Sequence, residues 1–489
     1  MKFTHVIKND WRYHFPDIMK MTSKGHRKRH KYSSFDVITW LFVLLLAWIP
    51  FPLGANRPLP EAFAGVYLAV LLFAWVVFAL YRKPEVRLPG QIVVAAWLVG
   101  VVVAWSWIQA QSWTPQAWHH AIWKIFDGLD DGEVSGRISI NAYSPYGAIF
   151  GLGIPVAAFA LAYVLAARKH RANFILGSIL VISVGYALAG ILFNLTGWVP
   201  FAELKTSKEI SSTFVNRNHY AMFANLGLCI ALTWVLMPLF QAQSERLPLR
   251  AVLIRAVVEP FERRPRVTAA AGVIMAALIG TFSRGGFLSL FAAIIVVVFV
   301  GIAGTRLSLR RATQVLIGSF ALMIVVMYFI GGPLLERFND IGNATDLTTG
   351  ARLSAWKRTI ELVEQRPWLG YGNGSYLDLF MMNNDLRFKT VFDHAHNDYL
   401  ELIAELGLVG AGALIAALGI LVGFVGRGAL VSRGDGRAIA LTGVAAGTVA
   451  GVHSIFDFGL AIPAVAVTFA TILGVGCSDI AHRSTEAGP

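Results

Sequence analysis

The chain has 489 residues, 56% of them hydrophobic and 15% charged, with a formal net charge of +13 and a mean hydropathy of +0.59. A soluble domain carries about 25% charged residues, so an ordinary soluble enzyme and a disordered chain are both excluded. The positive charge is not gathered into a groove-reading motif, which excludes a nucleic-acid-binding module. Cys229 and Cys477 lie in apolar runs. They offer neither metal-ligand spacing nor a disulfide framework and read as small buried apolar residues.

A helix needs about 20 apolar residues to cross a bilayer. Twelve such segments are predicted, at 36–54, 61–81, 88–109, 145–167, 172–195, 219–240, 267–283, 287–304, 312–331, 398–425, 438–457 and 459–477. The first is not a cleavable signal, because a basic tail (1–35) precedes it and no small-residue cleavage pattern follows. That tail holds nine lysines and arginines. With the tail inside, each short loop on the same side (82–87, 168–171, 246–266, 306–311, 427–437) holds at least three. Lysine and arginine stay cytoplasmic, so both termini, including the tail 478–489, are expected in the cytoplasm. The basic tail is read as an anchor to anionic headgroups. No repeat of 20–50 residues and no low-complexity tract divides the chain. The expected fold is an all-α integral membrane protein, with spans one to nine in 36–331 and spans ten to twelve in 398–477.

Three external segments are too long to be simple connectors. The first, 110–144, carries Trp113, Trp118 and Trp123 at five-residue spacing. It reads either as an interfacial aromatic belt on a loosely amphipathic helix or as a sugar-stacking platform. The second, 196–218, leads into Asn216-Arg217-Asn218-His219. Either Asn216 or Asn218 serves as a helix cap there, or the polar group faces substrate in a cavity. The third, 332–397, is a large loop before span ten, and loops of this length are usually functional. It contains an amphipathic stretch, Gly350 to Gln365, with Leu353, Trp356, Ile360 and Val363 on one face. A glycine-rich turn follows at 366–374, and the loop ends in His394-Ala395-His396-Asn397.

The ionisable residues collect at the external ends of the spans. His394 or His396 is the candidate base. Arg217, Arg284 and Arg352 are candidate anion binders; Asn397, Glu401 and Glu405 are candidate helpers. Glu401 and Glu405 follow Asn397 at i+4 and i+8 on one helix face, where carboxylates are costly unless a cavity or partner uses them. The Gly451–Asp457 stretch adds His453 and Asp457 near the same membrane face. No grouping has convincing metal spacing. Arginine forks suit phosphate oxygens, and histidine takes a proton from a hydroxyl at neutral pH. A base beside a diphosphate site points to glycosyl transfer from a lipid-linked donor. No nucleotide-binding glycine motif is present on the cytoplasmic side.

His396-Asn397, nine residues, then Gly407-x-x-Gly410 resembles the signature of the O-antigen ligase and O-antigen polymerase family. Ser283-Arg284-Gly285 resembles its second mark, and Arg352 with Trp356, Pro367, Gly370 and Gly372 its third. The resemblance is specific over about 280–410, and the first 200 residues share only general character. It implies a GT-C-type membrane glycosyltransferase of the bacterial inner membrane, inverting and metal-independent, with no cofactor and with its site facing the periplasm. It also implies an undecaprenyl-diphosphate-linked glycan donor, with His396 activating the acceptor hydroxyl. Arg284 and Arg352 would then hold the diphosphate, and Asn397 would position substrate or the imidazole. Arg217, His394, Glu401 and Glu405 enter by position alone, Arg217 with the diphosphate binders and the others as positioning residues. The acceptor is either lipid A–core, for a ligase, or a second lipid-linked glycan, for a polymerase. The complete His-Asn-x9-Gly-x-x-Gly element tilts the reading to the ligase. A polysaccharide-lipid transporter is the rival class, and it predicts repeats and midplane charges.

Overall fold

The computed structural model describes residues 33–126, 135–204, 209–241, 258–303, 347–383 and 392–483. Most of the basic tail, the ninth predicted span at 312–331, much of the loop 332–397 and the last six residues lie outside the described residues. Within them the chain is helical and contains no strand. In chain order the helices are α1 (Ser34–Trp48), α2 (Pro58–Arg82), α3 (Gly90–Gln109), α4 (Ser144–Leu165), α5 (Lys169–Thr196), α6 (Arg217–Gln241), α7 (Pro265–Gly280) and α8 (Arg284–Ala303). There follow α9 (Leu347–Gln365), the short α10 (Tyr376–Met382), α11 (Asp398–Val431), α12 (Gly434–His453) and α13 (Pro463–Arg483). Eight of these are long and apolar enough to cross a membrane, while α1 and α7 are shorter apolar helices. The chain is a multi-pass membrane protein.

Local chemistry sets many of the helix ends. Ser33 and Asp36 form a reciprocal capping box that starts α1. Pro58, Pro145 and Pro265 occupy first-turn positions of α2, α4 and α7, where a missing N–H costs nothing. At the ends far from the site, buried arginines close helix C-termini. Arg171 Nε donates to the Leu165 carbonyl at 2.6 Å. Arg437 donates to the Ala429 carbonyl at 3.1 Å and to the Gly301 carbonyl at 2.7 Å. Cations there satisfy orphan carbonyls and oppose the negative end of the helix dipole.

α13 is the axis of the bundle. Nearly all its side chains are buried, and it packs most extensively on α4 and α12. Its run Ala464-Val465-Ala466-Val467 and later Gly474 and Gly476 are small, and small side chains let helices approach where hydrophobic contrast with lipid is absent. α6 is also central, whereas α2 and α3 leave most of their apolar surface exposed, as lipid-facing helices do. Cys229 and Cys477 are both buried and unpaired.

Three expectations are corrected. The eleventh and twelfth predicted spans shift: α12 stops at His453 and α13 starts at Pro463, leaving Ser454–Ile462 as a turn outside the helices. The tryptophan segment is not a regular amphipathic helix. Pro115 interrupts it, and it folds as two short 3-10 turns, Gln116–Trp118 and Ala121–Phe126. α9 exists as expected but buries a different face. Ala355, Thr359 and Leu362 are buried, while Leu353 and Ile360 are exposed. The face is chosen by docking: the Thr359 hydroxyl meets the Tyr376 hydroxyl at 2.8 Å.

Candidate active site

The site is built where α6, α8, α9, α11 and the turn after α12 meet. The start of α11 is pinned first. Asn397 Oδ1 accepts from the amides of Tyr399 and Leu400, both at 3.1 Å, and so caps the helix. The Asp398 amide donates to the Ser454 carbonyl at 2.9 Å, and the Ser454 hydroxyl returns a 2.6 Å bond to Asp398 Oδ2. The Tyr399 hydroxyl donates to the Gly451 carbonyl at 2.8 Å. These bonds clamp the residues before α11 against the turn that carries Asp457 and Phe458.

His396 then sits opposite Asp457, with Nδ1 3.1 Å from Oδ1. Its backbone φ of +50° is left-handed, a conformation uncommon outside glycine and one that persists only when surroundings enforce it. Trp356 supplies part of that enforcement, donating Nε1–H to the Ala395 carbonyl at 2.8 Å. Asp457 is 1% exposed and gathers several donors. Oδ1 also accepts from the Phe458 amide at 2.9 Å and faces His219 Nε2 at 3.6 Å. Oδ2 accepts from Asn218 Nδ2 at 2.5 Å and faces the Arg352 guanidinium at 3.9 Å. Burial alone would raise this carboxyl, but His219 and His396 outweigh burial and hold it well below the usual carboxylate range.

His394 has its own carboxylate. Nδ1 lies 2.6 Å from Glu401 Oε1, while Glu401 Oε2 accepts the Ala395 amide at 2.7 Å. Phe458 touches all three imidazoles. His394 stacks on its face at 4.0 Å, and His396 and His219 meet it edge-on at 4.9 and 4.5 Å.

The Gly407-x-x-Gly410 element has a mechanical meaning. Gly407 adopts φ +69°, ψ 172° inside α11 and bends it. The turn 366–372 enters the bend. A Cβ on Gly407 would lie 2.2 Å from the Trp368 carbonyl oxygen, and one on Gly370 2.3 Å from that of Glu405. The bend frees carbonyls, and each finds a donor, as burial requires. Tyr371 N–H serves Ala404 at 2.9 Å, Gly372 N–H serves Glu405 at 3.0 Å, and Trp105 Nε1 serves Leu406 at 2.9 Å. The Gln109 amide bridges the carbonyls of Leu369 and Glu405. Gly410 leaves room for the Trp105 indole. The motif therefore locks the glycine-rich turn to α11 three turns below His396.

The other expected residues fall as follows. Glu405 Oε1 accepts the Tyr376 amide at 2.9 Å, so its carboxylate sits at the N-terminus of α10. Arg217 pairs with Glu209 at the start of α6, where Asn216 Oδ1 accepts the Asn218 amide at 2.8 Å. Arg284 is half-buried at the first position of α8, which Ser283 caps through the Gly286 amide at 3.1 Å. The next residue, Gly285, abuts His453 and Phe456, so this turn lies against the turn that carries Asp457. The tryptophan segment braces the same body: Arg366 donates to the Trp118 carbonyl at 2.6 Å, and Trp123 Nε1 donates to Ser139 at 2.9 Å. His396, Arg352, Asn397, His394 and Glu401 thus come together; Glu405 holds the Tyr376 amide, and Arg217 pairs with Glu209. Phe458 was not anticipated, and Asp457, Asn218 and His219 were noted by position without an assigned role. The available signal was a histidine and a carboxylate placed where apolar runs end. Among the described residues, no three His, Cys, Asp or Glu side chains are disposed to hold a metal ion.

The fold and the site define a multi-pass membrane protein with a histidine–carboxylate centre at one end of its helices, flanked by arginine. Residues 269–416 match the family described as O-antigen ligase, which supports the resemblance to the O-antigen ligase and polymerase family. The match takes in Arg284, Arg352, His394, His396, Asn397, Glu401, Glu405, Gly407 and Gly410 but stops short of Asp457. No curated protein matches the chain. The match supports a glycosyltransferase-like enzyme of the O-antigen ligase or polymerase type.

Proposed function

We propose that this protein transfers a glycan from a polyprenyl diphosphate, undecaprenyl diphosphate in a bacterial inner membrane, to an acceptor hydroxyl on the periplasmic face. The observation that carries the reading is the His396–Asp457 contact beside Arg352. With Nδ1–H donated to Asp457, His396 Nε2 is left as a proton acceptor, and the side chain is 15% exposed. The acceptor oxygen attacks the anomeric carbon as its proton passes to His396 Nε2. The bond from that carbon to the phosphate oxygen breaks, and the diphosphate leaves with the electron pair. One displacement inverts the anomeric centre. Asp457 steadies the imidazolium that forms, as a carboxylate does for a general base. Arg352 and Arg284 neutralise charge on the leaving group.

The proposal keeps twelve spans of GT-C type, with both termini cytoplasmic. α8 ends beside Arg437, on the face away from the site, whereas α9 lies beside it. It also keeps the domain division read from sequence: tail 1–35, spans 36–331, loop 332–397, spans 398–477 and tail 478–489. Lipid A–core is the favoured acceptor, on the ground that the His-Asn-x9-Gly-x-x-Gly element is complete, although the element itself serves donor handling in both activities. A second lipid-linked glycan, for a polymerase, is the alternative. The test is complementation of a deletion strain with wild type or His396→Ala, followed by gels of surface and lipid-linked glycan. Long chains stranded on the carrier lipid mean a ligase, and single repeats reaching the surface mean a polymerase. Full restoration by a well-expressed His396→Ala protein overturns the transferase reading.

A further inference from the structure

We propose that His394 is a second working imidazole of this site, donating an Nε2–H hydrogen bond to the diphosphate of the lipid-linked substrate while His396 takes the acceptor proton. This rests on the glycosyl-transfer reading above.

The two histidines stand two residues apart but differ in their carboxylates. Asp457 is divided among His396, His219, Asn218, the Phe458 amide and Arg352. Glu401 gives one oxygen to His394 alone and the other to the Ala395 amide. A carboxylate oxygen at 2.6 Å whose one partner is His394 favours an imidazole protonated on both nitrogens, and a charged N–H donor prefers an anionic oxygen. Burial alone would lower the His394 imidazole; Glu401, with help from Asp393 and Glu405, outweighs burial and holds it up at about 9. Asp398 also faces His394. His396 and His219 contact the same Phe458 ring, and Asp457 and Arg352 lie beside His396.

Access and direction agree with this role. The His394 side chain is 29% exposed, and its Nε2 takes no partner among the described residues. Its ring lies flat on Phe458, with an interplanar angle of 16°. The Phe458 amide is held by Asp457, so the plane of His394 is referenced to the carboxylate that orients His396. Each imidazole also has its own carboxylate, Glu401 for His394 and Asp457 for His396, so neither needs the other as a partner. A base and a charged hydrogen-bond donor packed against one aromatic ring match a reaction in which a hydroxyl loses a proton while a phosphate oxygen gains charge.

The test is direct binding of geranylgeranyl diphosphate to the full-length protein in detergent, by titration calorimetry between about pH 6 and 10, a range that brackets the His394 transition. Wild-type affinity should fall as pH rises through about 9. His394→Gln should bind about tenfold more weakly at about pH 7.5 and lose that step. Glu401→Gln should move the step down toward about 6.5, the ordinary imidazole value; a purely structural role for the pair would not move it. If His394→Gln binds as tightly as wild type with the same pH step, this inference is overturned and the transferase reading stands. If folded wild type binds no diphosphate at any pH, the lipid-diphosphate reading falls and takes the inference with it.

Discussion

His396 Nδ1 lies 3.1 Å from Asp457 Oδ1, a contact made across 61 positions of sequence. It joins the last residues before α11 to the turn after α12, and it fixes which nitrogen of His396 faces outward. An asparagine at 457 keeps the shape but can offer an N–H to Nδ1, which forces the proton onto Nε2 and removes the base. We expect Asp457→Asn to lower kcat by about 10²- to 10⁴-fold with donor KM changed far less. A single-turnover glycan-transfer assay checks this. A loss confined to KM would assign Asp457 to binding instead.

Gly407 faces the Trp368 carbonyl at a distance that leaves no space for a Cβ, and its φ is +69°. Gly407→Ala therefore meets both backbone strain, about 1–3 kcal/mol for an L-residue in this positive-φ, extended-ψ region that is essentially reserved for glycine, and a clash that undocks the 366–372 turn. It should lower the melting temperature in detergent and reduce transfer. Gly419, in the same helix, has open space where a methyl group would go, with no neighbouring atom within 4 Å. Gly419→Ala should leave the melting temperature unchanged or raise it, since alanine is the better helix former. Equal behaviour of the two variants would refute the locking role of the bend.

Much of this architecture was legible in the apolar runs. α2, α3, α4 and α5 begin and end close to the stretches that hydropathy and the flanking arginines mark out. The spacing of His396, Gly407 and Gly410 was visible too, but its reason was not, because a bend at Gly407 makes sense only once Trp105, Gln109 and the 366–372 turn supply donors. Asp457 could be placed near the right membrane face but not against His396, since nothing local ties residues 61 positions apart. The tryptophan spacing misled: five-residue recurrence suggested a helical face, yet Pro115 and the bonds from Trp123 and to Trp118 make that segment a brace. The buried face of α9 was turned for a related reason, as Tyr376 and Ala395 choose its partners.

His120 gives a pH dependence of stability. Burial, then the nearby Arg366 guanidinium, push its imidazole down to about 4. Its Nδ1 accepts the Ile122 amide at 3.2 Å and must be unprotonated to do so. In the unfolded chain this group binds a proton near about pH 6.5. Between about 6.5 and 4 the unfolded state therefore holds more protons, and stability falls as pH falls. Hydrogen-exchange protection factors in 118–126 and 366–372, taken relative to the intrinsic exchange rate at each pH, should fall on going from about pH 7.5 to 5 in wild type. His120→Gln should show a smaller change. Identical pH dependence in both proteins would show that His120 is not the titrating group.

Arg352 reaches Asp457 Oδ2 at 3.9 Å while its side chain stays 33% exposed, so the guanidinium spans the distance from the buried carboxylate to the open side of the site. A planar fork can face a carboxylate with one edge and a phosphate with the other; an ammonium is a compact point charge and cannot do both. Arg352→Lys should therefore raise donor KM by about tenfold or more, although formal charge is conserved. If Arg352 and Arg284 supply the positive charge that a divalent cation supplies elsewhere, transfer should also persist in EDTA at full rate. The two measurements bear on each other. Inhibition by EDTA that magnesium or manganese reverses, together with wild-type KM in Arg352→Lys, would move diphosphate recognition from the arginines to a metal ion. Insensitivity to EDTA with a raised KM would place it on the guanidinium.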